Sequence, residues 1–351
     1  MNAFNRPLAA SAALQNFDSS LHAAPSNRRQ WLAAATGAVL ATQISTAFAQ
    51  QNFPTKTVRI IVPYAPGGGL DVMARLLADQ LQRKWKQAVI VENKTGASTI
   101  IGTMAVAKAP ADGHTLLLTS EATITSNPYL FDKLPYDPAR DLAPISQILS
   151  LPQMVVAHPS ITANTLSELV AQAKSGKQAI NYASYGSGSL PHLLFGGLKL
   201  RTGIDLVQVP YKGITPAVMA ALGNEVQLTL AGASGAQAYL TSGKLKALAV
   251  ANDKRLPEFP KVPTLQEEGF GDINPHASWF GLFSAAGTPP AVCAQIQQDV
   301  AAIGHSPEFA QHLAPRGFTP VFSTPAAFTQ FIAEDAAQKA KLIRMIGAKA
   351  E

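Results

Sequence analysis

The chain predicts an α/β fold built on mostly parallel sheets with helices on both faces. Three observations carry that reading. Strand-like and helix-like segments alternate along most of the sequence, the pattern of strand–crossover–strand units. A strand, a glycine loop and a helix follow one another at Val58 and again at Ile180. The 351 residues are 47% hydrophobic and 14% charged, enough apolar material to bury the cores of about two domains.

The first unit organises the rest. Val58-Arg59-Ile60-Ile61-Val62 is β-branched and stops at Pro63, so it reads as a buried strand. Pro66-Gly67-Gly68-Gly69-Leu70-Asp71 follows as a loop. Met73, Leu76, Leu77, Leu81 and Trp85 then recur at helical spacing. A strand-to-helix turn with Asp71 as a first-turn acid accounts for part of this pattern. Three consecutive glycines exceed what such a turn needs. They admit a ligand close to the backbone, where unpaired N–H groups and the helix dipole favour an anion.

The remaining elements follow in order. Gln87 to Glu92 reads as a strand, Asn93 to Ala97 as a loop, and Thr99 to Ala109 as a helix stopped by Pro110. His114 to Thr119 is a strand running into the polar loop Ser120-Glu121-Ala122-Thr123. Tyr136 to Pro144 is irregular, and Ile145 to Leu149 and Met154 to His158 are strands around Pro152. Leu166 to Ser175 is a helix ending at Gly176. The strand Ile180 to Ala183 leads into the second glycine loop, Ser184-Tyr185-Gly186-Ser187-Gly188-Ser189. Pro191 to Thr202 is a helix and Leu206 to Val209 a strand, with Tyr211-Lys212-Gly213 as a loop at its end. Thr215 and Pro216 start a helix that Gly223 ends. Val226 to Leu230 and Leu245 to Val250 are strands with a short helix between them. Trp279 to Phe283 is a strand, and helices begin at Pro290, Ser306-Pro307 and Thr324-Pro325.

The N-terminus predicts export. Asn27-Arg28-Arg29-Gln30-Trp31-Leu32 is a twin-arginine pattern, an Ala-rich apolar run follows, and Ala47-Phe48-Ala49 is a small-x-small cleavage site. Residues 1–49 are read as a signal peptide cleaved after Ala49, which places the mature chain in the periplasm. Removing Arg6, Arg28, Arg29 and Asp18 from 28 basic and 22 acidic residues leaves a net charge of +4. The basic residues are scattered, without a stripe and with few interleaved aromatics, which argues against nucleic acid as a partner. Cys293 is the single cysteine, so no intrachain disulfide is expected.

Parallel sheets bind ligands beyond the carboxyl ends of their strands. Two glycine loops at helix starts therefore make two half-sites, expected to face each other across a cleft. The second adds the hydroxyls of Ser184, Ser187 and Ser189, with His192 in the first helical turn as a further donor. A plain helix-capping role for Ser189 and a solvent-facing one for His192 stand beside this. No arginine lies in either loop. The sequence has no G-x-S-x-G elbow, Walker loop, H-E-x-x-H or C-x-x-C, and its seven histidines show no metal spacing. Neither a cofactor nor a metal is expected. Ser187 and His192 are the one pair from which an exported α/β hydrolase could be imagined, although no acid is evidently placed to orient the histidine.

These residues also carry a resemblance. Val58-Arg59-Ile60-Ile61-Val62-Pro63-Tyr64-Ala65-Pro66-Gly67-Gly68-Gly69 followed by Asp71 resembles the signature of the tripartite tricarboxylate transporter receptors, the Bug-type extracytoplasmic solute receptors. The likeness continues through Ala111-Asp112-Gly113-His114, Asp141-Leu142-Ala143-Pro144-Ile145, Gly186-Ser187-Gly188-Ser189 with His192, Val209-Pro210-Tyr211-Lys212-Gly213 and Ala286-Gly287-Thr288-Pro289. It implies a two-lobed fold of the type II periplasmic-binding-protein kind, with the chain crossing twice between lobes. On this reading residues 50–151 and 280–351 form lobe 1, and residues 152–279 form lobe 2. It also implies a small organic acid in the cleft, a membrane permease as partner, a monomer and no catalysis. An orphan receptor that signals to a sensor protein fits the same residues.

The expected site comprises Tyr64, Ala65, Pro66, Gly67, Gly68, Gly69, Asp71, Glu121, Ser184, Gly186, Ser187, Gly188, Ser189, His192, Tyr211, Lys212 and Ala231. Two departures from the family pattern stand out. Leu70 replaces a usual Thr or Ser, and Ala231-Gly232 replaces a frequent Asp-Asn. Both are expected to make the pocket less polar, favouring a monocarboxylate or an aromatic acid over a small, highly charged one.

Overall fold

The computed structural model of the protein describes residues 53–176 and 179–350. The predicted signal peptide and its cleavage site lie outside the described residues.

Two sheets organise the chain. The first has six strands, in the spatial order Thr319–Pro320, Leu142–Leu151, Ser278–Ala285, Thr115–Ser120, Val58–Val62 and Val89–Asn93. Its parallel part joins β1 (Val58–Val62) to β2 (Val89–Asn93) on one side and to β3 (Thr115–Ser120) on the other. β1 and β3 are short, mostly apolar and largely buried runs, as expected of strands covered on both faces, whereas β2 at the sheet edge is only partly buried. Helix α1 (Gly69–Trp85) buries Met73, Ala74, Leu77, Ala78 and Leu81 against this sheet, and α2 (Ile100–Ala107) lies between β2 and β3 in sequence. Past β3 the chain makes a π-helical turn over Ala122–Ser126, then two four-residue helices, α3 (Asn127–Leu130) and α4 (Pro138–Asp141). Helix α4 lies in the stretch read as irregular. Asp137 caps it by accepting from the N–H groups of Ala139 and Arg140, a local bond that a proline-rich composition hides.

The alternation of elements predicts parallel ladders, and both sheets are in fact mixed. β4 (Leu142–Leu151) pairs only with antiparallel neighbours in the first sheet, and β5 (Gln153–Ala157) does so in the second. Only Pro152 separates them. Proline has no N–H to give to a ladder, so the strand breaks there and the chain passes from one sheet to the other.

The second sheet has the order β7-β6-β8-β5-β9. After α5 (Leu166–Ser175), β6 (Ile180–Ser184) pairs in parallel with β7 (Leu206–Pro210) and β8 (Leu228–Gly232). Helix α6 (Leu190–Thr202) follows β6 and α7 (Ile214–Leu222) follows β7. Helix α7 starts earlier than Thr215 because Gly213, at φ +126°, takes the N-cap position. Helix α8 (Ala233–Thr241) leads to β9 (Lys246–Ala251). The chain then returns to the first sheet as β10 (Ser278–Ala285), inserted antiparallel between β3 and β4.

Helices α9 (Pro290–Gly304) and α10 (Pro307–Leu313) bury Ile296, Val300, Ile303, Phe309 and Leu313 in the core of the first sheet, and β11 (Thr319–Pro320) pairs with β4. The last helix, α11 (Pro325–Ile346), belongs to neither core alone. Phe328 packs on Trp279 and Phe283 of β10, whereas Leu342 and Ile343 join the core of the second sheet. Where α11 meets the returning chain, Asp335 and Lys339 are fully buried. Asp335 accepts from Thr125 Oγ1 at 2.6 Å, Trp279 Nε1 at 3.0 Å and Lys339 Nζ at 3.0 Å. Lys339 also donates to the Pro275 carbonyl at 2.6 Å. Burial alone would raise the Asp335 pKa. Lys339, with His276, Thr125 and Trp279, holds it well below the ordinary value instead.

Candidate functional site

The carboxyl ends of β1, β3 and β6 open on a cleft of about 1000 Å³. The first glycine loop contributes Tyr64 through Leu70, and the second contributes Tyr185 through Leu190. Of the expected residues, Tyr64, Ala65, Pro66, Gly67, Gly68, Gly69, Glu121, Gly186, Ser187, Gly188, Ser189 and Lys212 line it.

The first loop is shaped by Asp71. Its carboxylate accepts from the Gly67 N–H at 2.9 Å, from Asn93 Nδ2 at 2.9 Å and from both Arg75 Nε and Nη2. The Arg75 hydrogen bonds and the Gly67 N–H lower its pKa to about 2 against the cost of burial. Asp71 is therefore ionised and turned away from the cleft, holding the loop from behind. Gly67 sits at φ +82°, a conformation that glycine accepts and other residues resist. Its N–H is already used. The donors left at this helix start are those of the first turn from Gly69 on, which lack carbonyl partners within the helix.

The second loop is more self-contained. Gly188 donates its N–H to His192 Nδ1 at 3.0 Å, and Ser189 Oγ donates to the Gly186 carbonyl at 2.7 Å. Ser189 occupies the N-cap of α6, but its hydroxyl bonds back into the loop and makes no cap bond. Ser187 Oγ donates to the Lys349 carbonyl at 2.6 Å, and the Ala350 N–H donates to the Leu130 carbonyl at 3.0 Å. The tail after α11 thus ties the second glycine loop to α3, and Ala350 lines the cleft. A ligand meeting Ser187 finds its hydroxyl proton already given away, and Ser187 with His192 does not form a nucleophile–base pair in this arrangement.

Five expected residues do not line the cleft. Asp71 lies behind its loop, and His192 Nδ1 serves the Gly188 N–H. Ser184 is fully buried, its Oγ accepting from Gln208 Nε2. Tyr211 points its hydroxyl to Glu225. Ala231 is packed in a core cluster with Met154, Val156 and Val250, because β8 is central in its sheet and that side chain faces a covering layer. The departure at Ala231 therefore leaves the pocket lining unchanged. Leu70 borders the cleft, and its side chain is packed into the core of the first sheet.

The sequence reading missed a polar wall. Ser98, Thr99, Ser126 and Asn127 line the cleft beside the first loop. Asn127 Nδ2 donates to the Ser98 carbonyl at 2.8 Å, and Tyr136 Oη donates to the Thr123 carbonyl at 2.7 Å. Gln153, Tyr185 and Ser278 complete the wall near the chain crossings. The Tyr64 hydroxyl lies 2.7 Å from Ser120 Oγ, and burial raises its pKa to about 12, so it stays neutral. Glu121 is 9% exposed, and its Oε2 accepts from Ser278 Oγ at 2.8 Å and from the Trp279 N–H at 3.3 Å. Burial raises the Glu121 pKa, with Lys339 and Ser278 opposing. Among the described residues no cluster of His, Cys, Asp and Glu is arranged to hold a metal. Nor is any described helix long and apolar enough to cross a membrane.

Comparison with known proteins agrees with this architecture. Residues 73–348 match the model of the tripartite tricarboxylate transporter family receptor. The chain is 35% identical over 320 residues to protein BugT of Bordetella pertussis, covering 91% of this chain and 98% of that one. The solved structure of periplasmic binding protein BugD superposes with a TM-score of 0.70 at 31% identity, covering 85% of this chain and all of that one. Rpa4515 of R. palustris, solved with adipate, superposes with a TM-score of 0.72 at 29% identity over the same shares. With its two sheets, interposed cleft and paired glycine loops, the chain belongs to the tripartite tricarboxylate transporter receptor family.

Proposed function

We propose that the protein is an exported solute-binding protein that captures a small organic carboxylate between its two glycine loops and delivers it to a membrane permease of the tripartite tricarboxylate type. The observation that carries the reading is the first loop. It opens a helix start, with unpaired N–H groups and the positive end of the helix dipole, onto a cleft large enough for a small acid. A carboxylate there gains charge-assisted hydrogen bonds, which are stronger than those between neutral partners. The adipate in Rpa4515 supports a carboxylate as ligand class. The twin-arginine pattern and Ala47-Phe48-Ala49 support export to the periplasm with cleavage after Ala49. The same reading makes residues 50–151 and 280–351 one lobe, residues 152–279 the other, and the mature protein a monomer.

Gly68 supplies the test. Its φ of −74° suits any residue, and an added Cβ would meet nothing closer than the Ala65 carbonyl at 3.6 Å. Gly68→Val should therefore keep the fold while placing its side chain in the cleft. Calorimetric titration of the parent with a series of small organic acids is expected to show saturable binding with the acid recovered unchanged, and Gly68→Val should lose it with an unaltered circular dichroism spectrum. Tight binding retained by folded Gly68→Val would make the first loop a structural turn.

A further inference from the structure

We propose that Glu121 receives a ligand ammonium group, so that the cleft selects a small amino-carboxylate over the dicarboxylate of the same length. The inference rests on the first glycine loop taking the carboxylate. Among the described residues lining the cleft, only Glu121 and Lys212 carry charged side chains. Lys212 is exposed, on the loop between β7 and α7. Glu121 is nearly buried and sits just beyond the carboxyl end of β3. No cation is in contact with its carboxylate among the described residues, and Lys339 acts on it only from a distance, opposed by Asp335. Lys339 is engaged 3.0 Å from Asp335 and donates to the Pro275 carbonyl, so that pair is neutral within itself. A buried carboxylate without a counter-charge is unfavourable, and a cation in the cleft relieves it.

The surroundings suit an ammonium. Ser278 Oγ gives its proton to Glu121 and Tyr185 Oη gives its proton to Gln153 Oε1, so both oxygens have lone pairs left to accept. Burial raises the pKa of the Tyr64 and Tyr185 phenols, so both stay neutral. An ammonium has three N–H groups and no acceptor, and this corner offers acceptors. The first glycine loop offers the opposite, N–H donors at a helix start. The cleft thus offers donors at the first glycine loop and acceptors around Glu121, at the carboxyl ends of the neighbouring strands β1 and β3.

The probes are matched pairs: adipate with 6-aminohexanoate, succinate with 4-aminobutanoate, and hexanoate as a plain monocarboxylate. Calorimetry at pH 7 is expected to show at least one amino acid binding at least tenfold tighter than its diacid partner. Glu121→Gln, whose carbonyl oxygen still accepts from Ser278 and Trp279, should weaken that amino acid tenfold or more and leave the diacid unchanged or improved. Melting temperatures confirm that Glu121→Gln folds. Diacids that bind as tightly as the amino acids, or a Glu121→Gln variant that weakens both alike, overturn the proposal. Diacid binding that weakens as pH rises from 5.5 to 8 does so too, and would assign Glu121 a proton that it donates to a second carboxylate. Hexanoate binding with no gain from the amine defeats the ammonium role alone. Binding by none of the five overturns the carboxylate reading and this inference together.

Discussion

Asp71 shows how one side chain serves a site without touching its ligand. In sequence it stands inside the glycine loop, where a carboxylate near an anion is unfavourable. The structure resolves the conflict by turning it onto Arg75, Asn93 and the Gly67 N–H. Asp71→Ala removes those acceptors, and the loss should be about 2 kcal/mol, the scale of hydrogen bonds to a charged group. Urea denaturation measures it. The pH dependence has a definite sign. The folded pKa, about 2, lies below the ordinary 3.8, so the stabilisation is present above about pH 4 and lost as pH falls toward 2. The difference in stability between parent and Asp71→Ala should accordingly be full at pH 6 and shrink on acidification through that window. Ser187 and His192 carry a different lesson. Their partners, Lys349 and Gly188, lie 162 and 4 residues away, and nothing in a loop's composition says which of its polar groups are already occupied.

At the level of elements, hydrophobic periodicity made most of the architecture readable. The apolar faces of α1, α5 and α9 and the β-branched run of β1 follow from residue spacing alone. The strand break at Pro152 was also legible, because a proline between two apolar runs cannot sit in the middle of a ladder. Helix α11 was legible too, but the burial of two charges on it was not. Asp335 and Lys339 are four apart, the spacing of an ordinary solvated pair, yet they are buried where the helix meets β10 and the segment before it. Lys339→Met leaves the Asp335 charge buried without its cation and should cost about 3–5 kcal/mol. Changing both residues to apolar ones should recover most of that loss. Chemical denaturation of the two variants decides between this and a merely solvated pair, for which both changes would be nearly neutral.

For the molecule as a whole, the chain passes between the sheets at Pro152 and again before β10, and α11 reaches into both cores. With two connecting segments flanking the cleft, hinge closure on a ligand is the expected motion. A ligand at 100 times its dissociation constant should stabilise the protein by about 2.7 kcal/mol, a rise of several degrees in melting temperature. Small-angle scattering should show the particle contract as the same ligand saturates it. A melting shift without contraction would mean that the cleft is already closed when empty.

The tail after α11 has a practical consequence. Because Ala350 lines the cleft and its neighbour Lys349 is tied to Ser187, anything joined beyond that point leaves the protein at the lip of the pocket. A purification tag placed there would compete with solute for the opening. A small environment-sensitive dye attached at the same place would report cleft occupancy as a change in emission, making that end of the chain the natural position for a sensor and the wrong one for a handle.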